Sequence, residues 1–232
     1  MIGIIGAMDI EVDLLKQAME GAQEHVISGI RYLQGKLCGR EAVVARCGVG
    51  KVNAAVCAQT MILEYQPEAL INTGVAGSLS NALDIGSIAI ADFVVQSDID
   101  TTALGEPIGL VPTLNVVDIP CSPHVAQRLM DAGTELGLSC TCGTIATSDT
   151  FVAAAERKAY LTKQFGAIAC EMESGSIAQV CYINGTEYTA VRCISDNADS
   201  NAGVDYEQFS TFAAHQTTEL LCTALPMLEK AK

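Results

Sequence analysis

The residues best placed to do chemistry in this chain are carboxylates that follow apolar runs. Glu11 comes shortly after Ile2–Ile5, Glu171 and Glu173 follow Ala167-Ile-Ala-Cys170, and Asp196 ends the run that begins at Tyr188. A hydrophobic run that stops on polar groups is how an α/β protein presents functional side chains at the carboxyl ends of strands. Arg192, inside the last run, is a permanent cation in a segment that reads as interior, so it needs a partner or a ligand. Phe151 sits in the polar turn Thr147-Ser-Asp-Thr-Phe151-Val152. With five Phe and no Trp in the chain, its ring either stacks on a flat ligand or plugs the core. Paired carboxylates suit acid/base cleavage of a glycosidic bond: one, kept protonated by burial, helps the leaving group depart, and the other activates water. A third carboxylate can accept hydrogen bonds from sugar hydroxyls. Structural ion pairs would produce the same set of residues.

The elements that must position these groups alternate between strand and helix. Ile2–Ile5 is a short strand, and Asp9 is placed to cap a helix with Val12, Leu15 and Met19 on its apolar face. Glu11 then lies in the first turn, where the helix dipole favours its anion, or where it is an ordinary capping residue. Segments near His25–Ser28, Arg31–Leu37 and Ala42–Arg46 read as a β meander. Gly48-Val-Gly50-Lys51 leads into a helix from Val52 to about Tyr65 but lacks the spacing and hydroxyl of a phosphate loop. Ala69–Thr73 is a buried strand ending in Gly74-Val75-Ala76-Gly77-Ser78, small residues that let a ligand approach the backbone. β pattern resumes from Ile85 to Val95. Residues 98–120, broken by Gly105, Pro107, Gly109, Pro112 and Pro120, are too long for an idle connector and suggest a lid or a subunit contact. A helix over Pro123–Leu136, a strand over Ser139–Ala146, a helix over 153–165 and a small-residue helix to about Ile183 follow. Asp205-x-x-Gln208 reads as a capping box for a last helix from Tyr206 to Glu229. The expected architecture is α/β, a single domain over residues 1–232 with a mixed sheet between helical layers.

Composition narrows the function. At 232 residues, half of them hydrophobic and 17% charged, the chain has a globular composition and enough length for a sizeable core. A formal charge of −14 argues against a nucleic-acid partner. No apolar run reaches membrane length, and Met1-Ile-Gly-Ile-Ile-Gly6 lacks the features of a signal peptide. The expectation is a cytoplasmic protein. Among the ten cysteines there is no Cys-x-x-Cys, and His25, His124 and His215 keep no metal spacing with any of them. They read as free, mostly buried thiols.

Five blocks, in order, carry a resemblance: Gly3-Ile-Ile-Gly6-Ala-Met8-Asp-Ile-Glu11-Val12, Gly48-Val-Gly50-Lys-Val-Asn53-Ala-Ala, Asn72-Thr-Gly74-Val-Ala-Gly77, Ala169-Cys-Glu171-Met-Glu173 and Val191-Arg192-Cys-Ile-Ser195-Asp196-Asn-Ala-Asp199. Together they resemble the bacterial 5′-methylthioadenosine/S-adenosylhomocysteine nucleosidases, from residue 1 to the last helix. The resemblance implies the nucleoside phosphorylase-like three-layer α/β/α sandwich, a homodimer, a nucleoside substrate, and neither metal nor organic cofactor. It further implies that Asp196, oriented by Ser195, protonates N7 of adenine, and that Glu11 activates water with Arg192 nearby. Glu173 would accept from the ribose hydroxyls, Met172 pack beneath the sugar, and Phe151 stack on adenine while the Val152 backbone reads its edge. Met8 and Val49 would line the 5′-alkylthio site, closed by Leu104 and Pro112 of a neighbouring subunit. Val75, Ala76, Gly77 and Glu171 complete the expected binding set. The chain departs from the family pattern at Val75, often Ser; at Ser97, where His is common; at Leu104, often Phe; and over Gly105–Gly109. These changes bear on the 5′-substituent and on turnover, and they keep a related futalosine hydrolase activity open. A purine nucleoside phosphorylase of the same fold and a nucleoside-binding protein that has lost catalysis also compete with the nucleosidase reading.

Overall fold

A computed structural model describes residues 1–112 and 114–228. The strands are β1 (Ile2–Gly6), β2 (Glu20–Ile27), β3 (Ile30–Leu37), β4 (Arg40–Arg46), β5 (Ala69–Ser78), β6 (Ile88–Gln96), β7 (Ile119–Pro120), β8 (Cys140–Thr147), β9 (Ala169–Glu171) and β10 (Glu187–Asp196). The helices are α1 (Asp9–Gln17), α2 (Lys51–Tyr65), α3 (Pro123–Glu135), α4 (Ala155–Phe165), α5 (Ser174–Asn184) and α6 (Ala202–Ala224), with single 3₁₀ turns at Thr102–Leu104 and Leu225–Met227.

The strands form one mixed sheet with helices on both faces, as expected. Its central strands are continuous apolar runs because each face meets a helical layer. In β1, Ile5 packs in one core and Ile2 and Ile4 in the other; in β10, Ala190 and Ile194 face the first, Val191 and Cys193 the second. The first core also takes Ala54, Cys57, Ala58 and Met61 of α2 with Ile177, Ala178 and Cys181 of α5. The second takes Val12 and Leu15 of α1, Val125, Leu129 and Ala132 of α3, and Leu220 and Leu221 of α6.

The sheet also closes on itself. β5 pairs with β10, β10 with β6, β6 with β8, β8 with β9, and β9 returns to β5. β1, β4, β3 and β2 extend outward from β5. Ring closure leaves each of the five ring strands paired on both sides, with β2 as a free edge, and gathers the ends of β5, β9 and β10 at one place: Gly77 is registered with both Cys170 and Asp196.

Three expectations are corrected. Asp9 does not cap α1; Met8 holds the cap position, and Asp9 pairs with Arg46 at 3.1 Å. The capping box at Asp205 does not form either. α6 begins a turn earlier, at Ala202, so Asp205 and Tyr206 lie within its first turns; Glu229, the expected end, falls outside the described residues. Lastly, not all cysteines are free. Cys38, in the β3–β4 turn, is disulfide-bonded to Cys222 of α6 across 184 residues, Cα–Cα 5.4 Å, and the other eight are free. A cross-link of that span constrains the unfolded chain by up to about 5 kcal/mol. Thiol titration of the denatured, unreduced protein should therefore count eight thiols rather than ten. Reduction should lower the melting temperature by several degrees, whereas ten thiols without reductant would contradict the bond.

Candidate active site

A cavity of about 280 Å³ opens where β1, β5, β9 and β10 end. Its wall includes Ala7, Met8, Glu11, Val49, Val75, Ala76, Gly77, Phe151, Cys170, Glu171, Met172, Glu173, Ser195, Asp196 and Tyr206. A smaller lobe adds Thr150 and Val152. Most of the residues singled out in the sequence therefore converge on one pocket that is largely apolar and carries a few converging polar groups, as ligand sites do.

Asp196 reaches the cavity through an irregularity. Strict alternation would send Ser195 and Asp196 to opposite faces, yet both line the pocket. The β5–β10 register shifts between Ile194 and Asp196, and such bulges re-aim side chains. The Ser195 hydroxyl donates to one oxygen of Asp196 at 2.9 Å, and the Ala198 N–H to the other at 2.9 Å. Burial nevertheless raises the Asp196 pKa above the ordinary aspartate value, against those two hydrogen bonds. A carboxyl group raised in this way suits a proton donor.

Glu11 turns back over the start of α1. One oxygen accepts from the Ala7 and Met8 N–H groups at 2.7 and 3.0 Å, the other from the Val75 N–H at 3.1 Å. These donors and the nearby Arg192 favour its anion, but burial outweighs them and raises its pKa. Gly74 makes the approach possible. A Cβ there would collide with both a Glu11 carboxylate oxygen and Arg192 Nη1.

Arg192 is fully buried and does not line the cavity. Its Nη2 donates to Asn72 Oδ1, to Glu171 and to Ser174 Oγ (3.0 Å), and lies 3.8 Å from Glu173. Its Nη1 and Nε have no hydrogen-bond partner among the described residues, and Nη1 and a Glu11 oxygen both flank Gly74. The cation thus stands behind three carboxylates, which solves the puzzle of a charge in a buried strand. Glu171 touches the cavity, but its carboxylate is committed internally: one oxygen takes the Thr147 hydroxyl, the other Arg192 and the N–H groups of Glu173 (2.9 Å) and Ser174 (2.8 Å). It supports the site more than it offers oxygens to a ligand.

Glu173 is different. It has one strong external donor, the Gly50 N–H at 2.9 Å. Burial, then the charge of Glu171, raises its pKa to about 7, with Arg192 opposing. Leu104 and Pro112 are exposed and stand outside this cavity. Ser97 donates to the Thr147 carbonyl at 3.1 Å and accepts from Arg157 at 3.4 Å. Sequence reasoning missed Ala7, Cys170 and Tyr206. Tyr206, which the sequence suggests only as the start of a helix, meets Phe151 edge-on at 6.1 Å between ring centroids and donates to Met8 Sδ at 2.9 Å. Its available signal is an aromatic residue shortly after the polar end of β10. Among the described residues no cluster of His, Cys, Asp and Glu has a metal-holding arrangement.

Three carboxylates around an apolar, aromatic-edged pocket on this mixed sheet define an α/β protein equipped for acid/base chemistry on a polar ligand that carries a flat ring. The profile of the phosphorylase superfamily matches residues 1–226. The chain is 37% identical over 235 residues to the 5′-methylthioadenosine/S-adenosylhomocysteine nucleosidase of Geobacillus kaustophilus, covering 99% of this chain and 98% of that one. The Neisseria meningitidis nucleosidase of the same name, in complex with methylthio-immucillin-A, superposes with a TM-score of 0.94 at 31% identity, over 98% of this chain and 99% of that one. A futalosine hydrolase mutant from Helicobacter pylori gives 0.93 at 32%, with the same coverages. The chain belongs to the phosphorylase superfamily and, within it, to the 5′-methylthioadenosine/S-adenosylhomocysteine nucleosidase family.

Proposed function

We propose that the protein hydrolyses the N-glycosidic bond of 5′-methylthioadenosine and S-adenosylhomocysteine, and also 5′-deoxyadenosine, releasing adenine and the 5-substituted ribose. It would serve methionine salvage and methyl-cycle recycling in the cytoplasm. The observation that carries the reading is a cavity faced by Glu11, Glu173 and Asp196 with no Lys, Arg or His lining it among the described residues. Phosphorolysis would need cationic or N–H donors for phosphate, and here the backbone donors at the water side are already spent on Glu11.

In this mechanism Asp196 gives its proton to N7 of the purine as the ribose takes on oxocarbenium character. Glu11 removes a proton from the attacking water, and Arg192 Nη1 is the nearby unpaired donor that supports it. Val75 offers that water no hydroxyl. Glu173 accepts from the ribose 2′- and 3′-hydroxyls, with Met172 beneath the sugar. Phe151, braced by Tyr206, stacks on adenine, and the Val152 backbone reads its edge. Met8 and Val49 surround the 5′-substituent.

We further take the chain to act as one domain and to pair as a homodimer, with Leu104 and Pro112 closing the partner's cavity. Leu104 is 81% exposed, and α2 presents Val52, Val56 and Leu63 to solvent at helical spacing, which supports a covered face. Eight free thiols fit a cytoplasmic setting, and the Cys38–Cys222 bond is the feature that does not. No described helix is long and apolar enough to cross a membrane.

A futalosine hydrolase activity is the second reading, favoured by the similarity to the H. pylori enzyme and by the divergent 97–112 segment. Adenine release from methylthioadenosine should proceed at the same rate with and without phosphate; strict phosphate dependence would overturn hydrolysis. Futalosine in the same assay, followed by hypoxanthine release, separates the two hydrolase readings.

A further inference from the structure

The start of α2 is built without a cap of its own. Its cap position is Gly50, which has no side chain to accept from the first turn, Asn53 Nδ2 reaches back to the Val49 carbonyl at 2.7 Å but accepts no amide there, and the first turn holds no acid. The leading N–H groups of a helix need acceptors, and here two carboxylates from distant elements supply them. The Gly50 N–H goes to Glu173 at 2.9 Å, and the Lys51 N–H to Asp149 Oδ1 at 2.8 Å. Adjacent amides on one backbone therefore serve one carboxylate in the cavity and one outside it.

Asp149 is in turn tied into a closed circuit. Its own N–H donates to Asp98 Oδ2 at 3.0 Å, and Asp98 Oδ1 takes the Lys51 ammonium at 2.6 Å. Lys51 Nζ also reaches Gln96 Oε1 at 3.3 Å, and Gln96 Nε2 donates to Gln179 of α5 at 2.6 Å. Asp149 lies two residues before Phe151, and Lys51 two residues after Val49, both of which line the cavity. The turn after β8 is otherwise tied by the Ser148 N–H to the Glu171 carbonyl at 3.1 Å, by the Ser148 hydroxyl to the Thr150 carbonyl at 3.3 Å, and by Val152 in the core, while the half-exposed Phe151 meets Tyr206 edge-on.

We propose that Asp149, with Lys51 and Asp98, is a positioning clamp that fixes the Phe151 turn against the start of α2 and so couples the base-binding half of the site to Glu173 in the sugar-binding half. None of the three residues lines the cavity, so their effect is on where Phe151 and the Gly50 N–H stand. The proposal rests on the nucleosidase reading given above.

The test measures kcat and KM for methylthioadenosine, and the Kd of adenine alone by calorimetry, in the full-length wild type, Asp149→Ala, Asp149→Asn, Lys51→Met and the Asp149→Ala/Lys51→Met double variant. Loss of the clamp should raise KM and the adenine Kd by about tenfold while kcat stays within about threefold, because binding geometry is lost but the acid and base remain. Asp149→Asn should recover most of the loss, since its Oδ1 still accepts from Lys51. The double variant should be no worse than the more affected single one. A lower melting temperature with KM and adenine Kd unchanged would overturn the clamp, as would additive single effects. If Asp149→Ala fails to fold, Lys51→Met, which keeps the backbone amide, decides the matter alone. A wild type that releases no adenine would instead reject the nucleosidase reading, while adenine binding would still report on the clamp.

Discussion

Asp196→Asn should lower kcat for adenine release by roughly 10²–10⁴-fold while leaving a folded protein that still binds methylthioadenosine. The loss follows from chemistry more than shape. Asn matches Asp in size, and its Oδ1 can keep the bond that Asp196 receives from the Ala198 N–H. What it cannot do is carry a transferable proton. In the wild type, burial raises the Asp196 pKa and so keeps that proton available to higher pH. Since Asn has no such titration, the alkaline fall of the wild-type kcat/KM profile should disappear from whatever activity remains. Rapid-quench measurement of adenine with the enzyme in excess isolates the chemical step, and thermal melting checks the fold. A folded Asp196→Asn variant with near-normal kcat would remove Asp196 from the acid role.

The same residue shows what can and cannot be read from the chain. That Asp196 ends a buried strand is visible in the Thr-Ala-Val-Arg-Cys-Ile run, because alternation and burial are local properties. Glu11 and Glu173 are legible for the same reason: each follows closely on an apolar segment. The bulge that brings Ser195 and Asp196 together into the cavity depends on pairing with β5, more than a hundred residues away, and no local pattern announces it. Ring closure through β9, a three-residue strand, is hidden in the same way. The Cys38–Cys222 bond joins two cysteines whose spacing carries no signature, so a chain that reads as thiol-rich conceals its cross-link. Tyr206 is hidden by a helix boundary. Starting α6 at Tyr206 makes the ring a helix-end residue, whereas α6 begins at Ala202 and the ring lies within it, beside Phe151 and Met8. For Arg192 the charge is legible but the direction is not. Its Nη2 serves Glu171, Asn72 and Ser174 behind the pocket, while the unpaired Nη1 lies beside Gly74, which Glu11 also flanks.

Glu11→Gln should also cost roughly 10²–10⁴-fold in kcat, through loss of the base that takes the water's proton. Its signature differs from that of Asp196→Asn because the sign of the pH dependence is opposite. Glu11 works as the anion. Burial raises its pKa above the ordinary glutamate value, so lowering the pH protonates it earlier and produces the acid limb of the rate. Glu173 adds to that limb in the free enzyme. With its pKa at about 7, it loses acceptor capacity for the ribose hydroxyls as the pH falls through neutrality, which raises KM. Asp196, needed in its protonated form, sets the alkaline limb. The wild-type kcat/KM profile should therefore be bell-shaped. In Glu11→Gln the residual kcat should lose its acid limb, while the Glu173 contribution to KM persists. The substitution also has a structural consequence. Glu11 accepts three backbone N–H groups through its two oxygens, and a Gln must turn its NH₂ toward at least one of them. One buried donor left unsatisfied costs about 1–3 kcal/mol, so the variant should melt lower and is best assayed well below its transition. If the folded variant keeps both its kcat and its acid limb, Glu11 is not the base, and some other group deprotonates the water.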